Sequence, residues 1–175
     1  MNVSQKDGVT VIQLTGGSAT QSFSREFIPK IRDVILEHIG CKAIVITGEG
    51  RFFSAGADLV AFQKSIDEGN SVELIRYLTG ILHPLLLKMR TSETIFVAAL
   101  NGASAGGGLG LALACDARIA SPGGKMAASY SGIGLSPDGG TTWLLPRLVG
   151  EQVARKFFFE NEVWSAEEAF AKGAI

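Results

Sequence analysis

Two short segments carry residue types that could polarise a carbonyl. Arg51-Phe52-Phe53-Ser54-Ala55-Gly56-Ala57-Asp58 and Asn101-Gly102-Ala103-Ser104-Ala105-Gly106-Gly107-Gly108 each set glycine between a strand-like run and a helix-like run. Glycine is needed where backbone must approach a ligand closely or take a positive φ. The start of a helix also exposes unpaired N–H groups and the positive end of its dipole. Two such turns facing each other could direct two N–H donors at one oxygen, which is the requirement for an oxyanion hole. Loss of one such donor typically costs about 2.7–4 kcal/mol of transition-state stabilisation. Read from the glycines alone, the pattern fits ordinary turns between helix and sheet equally well.

Other reactive types are weakly placed. Gly102-Ala103-Ser104-Ala105-Gly106 matches the G-x-S-x-G nucleophile elbow in a strand-turn-helix context. In that fold the histidine base follows the serine, yet His38 and His83 both precede it and no histidine occurs from Pro84 to Ile175. A serine hydrolase is therefore not expected. His38 and His83 fall in amphipathic helical patterns without a metal-binding companion, although His83 could reach a pocket. Cys41 and Cys115 lack metal-ligand spacing, are too few for a disulfide scaffold, and read as free thiols in apolar surroundings.

The elements that must position these turns belong to a single α/β domain. The 175 residues suffice to bury roughly 70% of the unfolded surface. Apolar residues make up 46% and charged residues 19%, a globular rather than disordered composition. The formal net charge of −1, with both signs interspersed, provides no basic stripe for a nucleic-acid backbone. Thr94 to Cys115 is uncharged and nominally long enough to span a bilayer. Its run of three glycines, which would cost roughly 2–3 kcal/mol inside a helix, favours a strand, a turn and a buried helix instead. The N-terminal residues show no secretory pattern, so a cytoplasmic protein is expected.

Val9 to Leu14, Lys42 to Thr47 and Thr94 to Leu100 read as strands, with shorter ones at Ala117 to Ala120 and Lys125 to Ala128. Phe23, Phe27, Ile31, Ile35 and Ile39 recur every fourth position and predict a helix over Ser22 to Ile39, with Pro29 delaying its start or kinking it. Helices are also predicted over Leu59 to Ile66, Val72 to Met89, the LGLALAC run and EQVARKFFFEN. A last helix opens at Ser165, with Glu168 completing a capping box. Strands alternating with helices imply a largely parallel α/β core.

FFSAGADL, ALNGASAGGGLGLALACD and GIGLSPDGGTTWLLPRLVG together resemble the enoyl-CoA hydratase/isomerase (crotonase) superfamily, in its order and from about Val9 to Ile175. The resemblance implies a crotonase-like ββα spiral core. It implies that a thioester carbonyl lies between the N–H groups of Ala57 and Gly107. Coenzyme A, present only as part of the substrate and not as a resident cofactor, would then run along Ala55, Ala57, Asp58, Leu59 and Gly107, its adenine near the Ala55 and Ala57 backbone. Arg51 would either meet one of its phosphates or stay solvated. The Asp58 side chain is expected to cap the following helix.

Departures from the family pattern narrow the chemistry. Hydratases carry one glutamate three residues after the oxyanion glycine and another seven before the proline of the third motif. Those positions hold Gly110 and Tyr130 here, both expected at the acyl pocket, and neither can serve as the acid/base that adds water. Asp138, directly after Pro137, matches the catalytic aspartate of double-bond-shifting members, and SPDGGTTWLLPRLVG is most similar to the ring-opening isomerases of phenylacetate breakdown. One carboxylate suffices to move a proton between two carbons, helped by desolvation of the carboxyl. The same position supplies the nucleophile in aryl-CoA dehalogenases, and Asp138 could instead cap the GGTTWLL helix. Relatives continue past this point with helices that cover the acyl pocket and build trimers or hexamers. The chain thus reads as a core lacking that trimerisation segment, an acyl-CoA isomerase or a non-catalytic paralogue, with an acyl-CoA rather than a nucleic acid or a membrane as partner.

Overall fold

The computed structural model describes residues 1–16 and 18–175. Their hydrophobic pattern resolves into two sheets with helices packed over them. The first sheet contains β1 (Asn2–Lys6), β2 (Val9–Gln13), β3 (Ala43–Thr47), β5 (Ile95–Leu100) and β7 (Ala117–Ala120), in the order β1-β2-β3-β5-β7. β2, β3, β5 and β7 pair in parallel and β1 closes the edge antiparallel. β2 and β3 alternate buried and half-buried residues, and Ile12, Ile44, Ile46, Phe96 and Ala98 are fully enclosed. Parallel strands covered by helices need such apolar interiors.

The second sheet was legible in the sequence only through its strand at Lys125 to Ala128. It consists of β4 (Phe52–Ser54), β6 (Ala103–Ala105), β8 (Lys125–Ala127) and β9 (Val163–Ser165), in the order β4-β6-β8-β9. Each has three residues, too short for a period of two to be visible, and β4 and β6 are the first halves of the two glycine turns. They pair in parallel, so the two turns leave the same sheet edge side by side. That adjacency positions the site.

The helices are α1 (Phe27–His38), α2 (Leu59–Asp67), α3 (Ser71–Arg90), α4 (Gly107–Ala114), α5 (Thr141–Val149), α6 (Glu151–Phe159) and α7 (Ala166–Ala171). α1 starts five residues after the predicted Ser22 because Pro29 is tolerated only in a first turn. Phe23 therefore lies outside the helix, beside the site. α3 tolerates Pro84 and buries Leu74, Leu82, Leu85, Leu86 and Met89 along one face. α4 is enclosed on nearly every side, as its uniformly apolar sequence demands. α7 opens with the predicted capping box of Ser165 and Glu168. The uncharged stretch from Thr94 to Cys115 divides into β5, β6 and α4, and no helix is long and apolar enough to cross a membrane.

Candidate active site

β4 and β6 bring the two turns into backbone contact. Gly56 has φ +77°, and a Cβ built on it would stand 2.7 Å from the Gly107 nitrogen and 2.7 Å from the Ala105 carbonyl oxygen. Any side chain here would force the turns apart, so glycine is required. The residue after Gly56 is Ala57, and Gly107 opens α4. Among the described residues neither Ala57 N–H nor Gly107 N–H donates in a hydrogen bond. For Gly107 the cause is general: the first N–H groups of a helix lack intrahelical acceptors. Both residues remain partly accessible. The walls beside Gly107 are the Phe23 ring and the Leu82 side chain, 3.1 and 3.2 Å from a Cβ built there.

Sequence reasoning missed the segment that buttresses the first turn. Ala55 N–H donates to Thr20 O at 2.9 Å, Phe23 N–H to Gly56 O at 2.6 Å, and the Ser54 hydroxyl to Gln21 O at 2.9 Å. Asn101 was also missed as a clamp. Its Oδ1 accepts Gly48 N–H at 2.7 Å, while its amide donates to Gly50 O at 3.1 Å and Phe52 O at 3.2 Å. It ties the loop entering the first turn to the start of the second. The Asn-Gly pair before the glycine run was its only signal.

Asp58 has the predicted structural role: its Oδ1 accepts Val60 N–H at 3.0 Å and Ala61 N–H at 3.2 Å, capping α2. Leu59 follows, exposed, at the first helical position. Arg51 is exposed and in no ion pair among the described residues. Beyond Asp58 lies a cavity of about 430 Å³ lined by Phe23, Arg25, Lys64, Leu74 and Leu78 among others.

Asp138 behaves differently. It does not cap α5, whose N-cap position is Gly140 with no side-chain bond. Its backbone carbonyl accepts from Thr141 N–H at 3.1 Å, Thr141 Oγ1 at 2.8 Å and Tyr130 Oη at 3.4 Å. Its carboxylate Oδ2 lies 3.4 Å from His83 Nε2, with 36% of the Asp138 side chain and 46% of the His83 side chain exposed. The carboxyl is therefore less desolvated than its sequence context suggested. His83 Nε2 also accepts Gly139 N–H at 3.3 Å. One nitrogen cannot accept that N–H and donate to Asp138 at once, so the tautomer of the ring decides which of the two contacts is made. His83 and Gly139 border a groove of about 540 Å³ whose other walls include Leu86, Leu87, Trp143 and Leu144.

Gly110 and Tyr130 flank this loop, and neither lines either cavity. Gly110 is buried, and a Cβ there would stand 2.8 Å from Gly139 O. Tyr130 is 4% exposed, and burial pushes its phenol well above the usual range, reinforced by the nearby Asp138 charge. It stays neutral, with its hydroxyl donating to Asp138 O. Ser104, the elbow candidate, is fully buried with its hydroxyl on Lys125 O at 3.0 Å, which removes it as a nucleophile. His38 bonds Val34 O within α1 at 2.8 Å. Cys41 and Cys115 are free thiols, and burial pushes Cys115 up to about 12. Among the described residues no cluster of three or more His, Cys, Asp or Glu side chains could hold a metal ion.

Residues 4–175 match the enoyl-CoA hydratase/isomerase family. The chain is 40% identical over 131 residues to the “probable enoyl-CoA hydratase” EchA14 of Mycobacterium tuberculosis, covering 75% of this chain and 49% of that protein. It is 30% identical over 183 residues to 4-chlorobenzoyl coenzyme A dehalogenase-2 of an Arthrobacter species, covering 100% of this chain and 64% of that one. The solved structure of PA4980 from Pseudomonas aeruginosa superposes with a TM-score of 0.88 at 30% identity, over 99% of this chain and 74% of that chain. The chain thus spans between about half and two thirds of the length of these curated relatives. With the two apposed glycine turns, the mixed α/β core and a family match from residue 4 to 175, the chain belongs to the enoyl-CoA hydratase/isomerase family.

Proposed function

We propose that this protein binds an acyl-CoA thioester, polarises its carbonyl with the N–H groups of Ala57 and Gly107, and shifts a double bond along the acyl chain. The observation that carries the reading is the placement of Asp138: a side chain on a pinned backbone, capping no helix, with its Oδ2 beside His83. Drawing electron density onto the thioester oxygen acidifies the neighbouring carbon, and both donors are preorganised to stabilise the resulting enolate. Asp138 then takes a proton from one carbon and returns it to another. Hydration needs a second acid/base to deliver water. Positions 110 and 130 offer a buried glycine and a buried neutral phenol instead. Coenzyme A lies along Ala55, Ala57, Asp58 and Leu59, on main chain that the Asp58 cap holds rigid. Ring-opened aryl acyl groups belong to the same proposal, suggested by the resemblance of SPDGGTTWLLPRLVG to the ring-opening isomerases of phenylacetate breakdown. Assembly into trimers or hexamers belongs to the same proposal, supported by the exposure of Phe159, Phe170 and Trp143.

One observation favours a second reading. His83 stands where a base is needed if Asp138 acts as a nucleophile. In that chemistry Oδ2 bonds to the halogen-bearing carbon of an aryl acyl group and the halide leaves with its electron pair. Water deprotonated by His83 then attacks the aspartyl ester carbonyl, freeing the carboxylate and a hydroxyaryl thioester.

A single panel separates the two. 3-Enoyl-CoA and 4-chlorobenzoyl-CoA are incubated with the protein in D2O and followed by NMR and by halide release. The expected result is conversion between 2- and 3-enoyl-CoA without 3-hydroxyacyl-CoA. Accumulation of the hydrated product would end the isomerase reading, and chloride release would establish the second one.

A further inference from the structure

Gly110 occupies the fourth position of α4, amid leucines and alanines, where glycine costs about 1 kcal/mol relative to alanine. Its N–H makes a regular helical bond to Gly106 O at 3.1 Å, so the helix gains nothing from the missing side chain. The reason for it lies across the site. A Cβ on Gly110 would meet Gly139 O at 2.8 Å, closer than a carbon tolerates, and Gly139 Cα at 3.1 Å, a tight contact, so the Gly139 backbone would have to shift. Gly139 is itself buried with φ +59°.

The loop has little room to retreat. Asp138 O is held by three donors from Tyr130 and Thr141, and Gly139 N–H is held by His83. Leu86 and Leu82 lie 3.8 and 4.0 Å from a Cβ built on Gly139. We infer that Gly110 is a positioning residue. Its bare Cα sets the depth at which Asp138 and Gly139 seat on α4, and thereby the approach of the Asp138 carboxylate to His83. The consequence for turnover rests on the reading of Asp138 as the reactive carboxylate; the seating itself does not.

The test is Gly110→Ala in the full protein, read two ways. Protein labelled with 15N at histidine reports the His83 ring nitrogens without any substrate, and the resonance of Nε2 should move as its contacts with Gly139 and Asp138 change. On an enoyl-CoA, kcat should fall by about tenfold or more, since misplacement of a reacting group by about 1 Å costs on that scale. KM should stay within about threefold of wild type, because the interaction lost is one of the transition state. A second variant, G110A combined with L86A, frees volume beside the contact and guards against failure of the single variant to fold. It should show the same altered His83 resonances. Wild-type His83 resonances in either variant overturn the seating, and a wild-type kcat in Gly110→Ala overturns its catalytic consequence. Altered resonances in a protein whose wild type converts no enoyl-CoA support the seating and reject the isomerase reading alone.

Discussion

Asp58 and Asp138 stand in similar sequence contexts, each within two residues of glycine in a turn that leads into a helix, and the fold gives them opposite uses. Asp58 directs its carboxylate back to its own helix and satisfies two N–H groups of α2. Asp138 is separated from α5 by Gly139 and Gly140, both with positive φ, and Gly140 takes the cap position. Those two residues turn the Asp138 side chain away from the helix and toward His83, while its carbonyl accepts the bonds that a capping side chain would have made. A carboxylate already filled by backbone donors is a structural part. One left partly exposed beside a histidine ring is available as an acid/base.

The comparison breaks most sharply at Asp138. Asp138→Asn keeps the size and the backbone bonds but removes the basic oxygen. Turnover should fall by about 10²–10⁴-fold, the usual contribution of a positioned acid/base. Coenzyme A affinity, measured by calorimetry, should stay near wild type, because the predicted coenzyme A contacts run along the first turn. Retained turnover would remove Asp138 from the chemistry and leave the two aspartates alike.

Much of this was legible in the residues. The parallel strands and the helices follow from β-branched runs and a four-residue period, and Ser165 with Glu168 specified its capping box outright. The two glycine turns could be found because glycine at a close approach has no substitute. What escaped was everything made by contacts distant in sequence. Thr20 to Phe23 lies along the first turn without any pattern to announce it. His83 could be placed on an amphipathic helix within reach of a pocket, but only the fold brings it to Asp138, 55 residues later. Asp138 itself remained ambiguous between cap and reagent. The choice depended on two left-handed glycines, and a sequence does not display φ.

The Asp138 side of the comparison also carries a titration that the Asp58 side lacks. Tyr130, whose hydroxyl donates to Asp138 O, is held protonated first by burial and then by the Asp138 charge. Its folded pKa lies above the unfolded value of about 10, so no effect is felt below that pH. As pH rises further the unfolded chain loses the proton and the folded one does not, so stability declines. Cys115, raised from 9.0 to about 12 by burial, adds a decline that starts earlier. Denaturant unfolding between pH 8 and about pH 11 should show stability falling, each fully engaged group contributing about 1.4 kcal/mol per pH unit. Tyr130→Phe should flatten the upper part of that curve. A curve unchanged in Tyr130→Phe would show that the ring is hydrated and does not seal the loop beneath Asp138.

The smallest effect lies at Asp58, and it sharpens the contrast because the two informative substitutions differ there. Alanine removes the oxygen that receives Val60 and Ala61 N–H, and loss of an N-cap of this kind costs about 1 kcal/mol. For a chain of this size that corresponds to a drop in melting temperature of about 2–4 °C. Asparagine keeps an acceptor in the same place and ranks equally as a cap, so Asp58→Asn should melt within about 1 °C of wild type. Turnover should stay within about threefold in both, since the carboxylate touches no reacting atom and its charge is spent on the helix terminus. Removal of a negative charge by an isosteric amide is therefore nearly silent at Asp58 and disabling at Asp138. If Asp58→Asn lost activity to the same degree, its charge would be acting on the thioester through the adjoining Ala57 N–H, and the division of labour between the two aspartates would not hold.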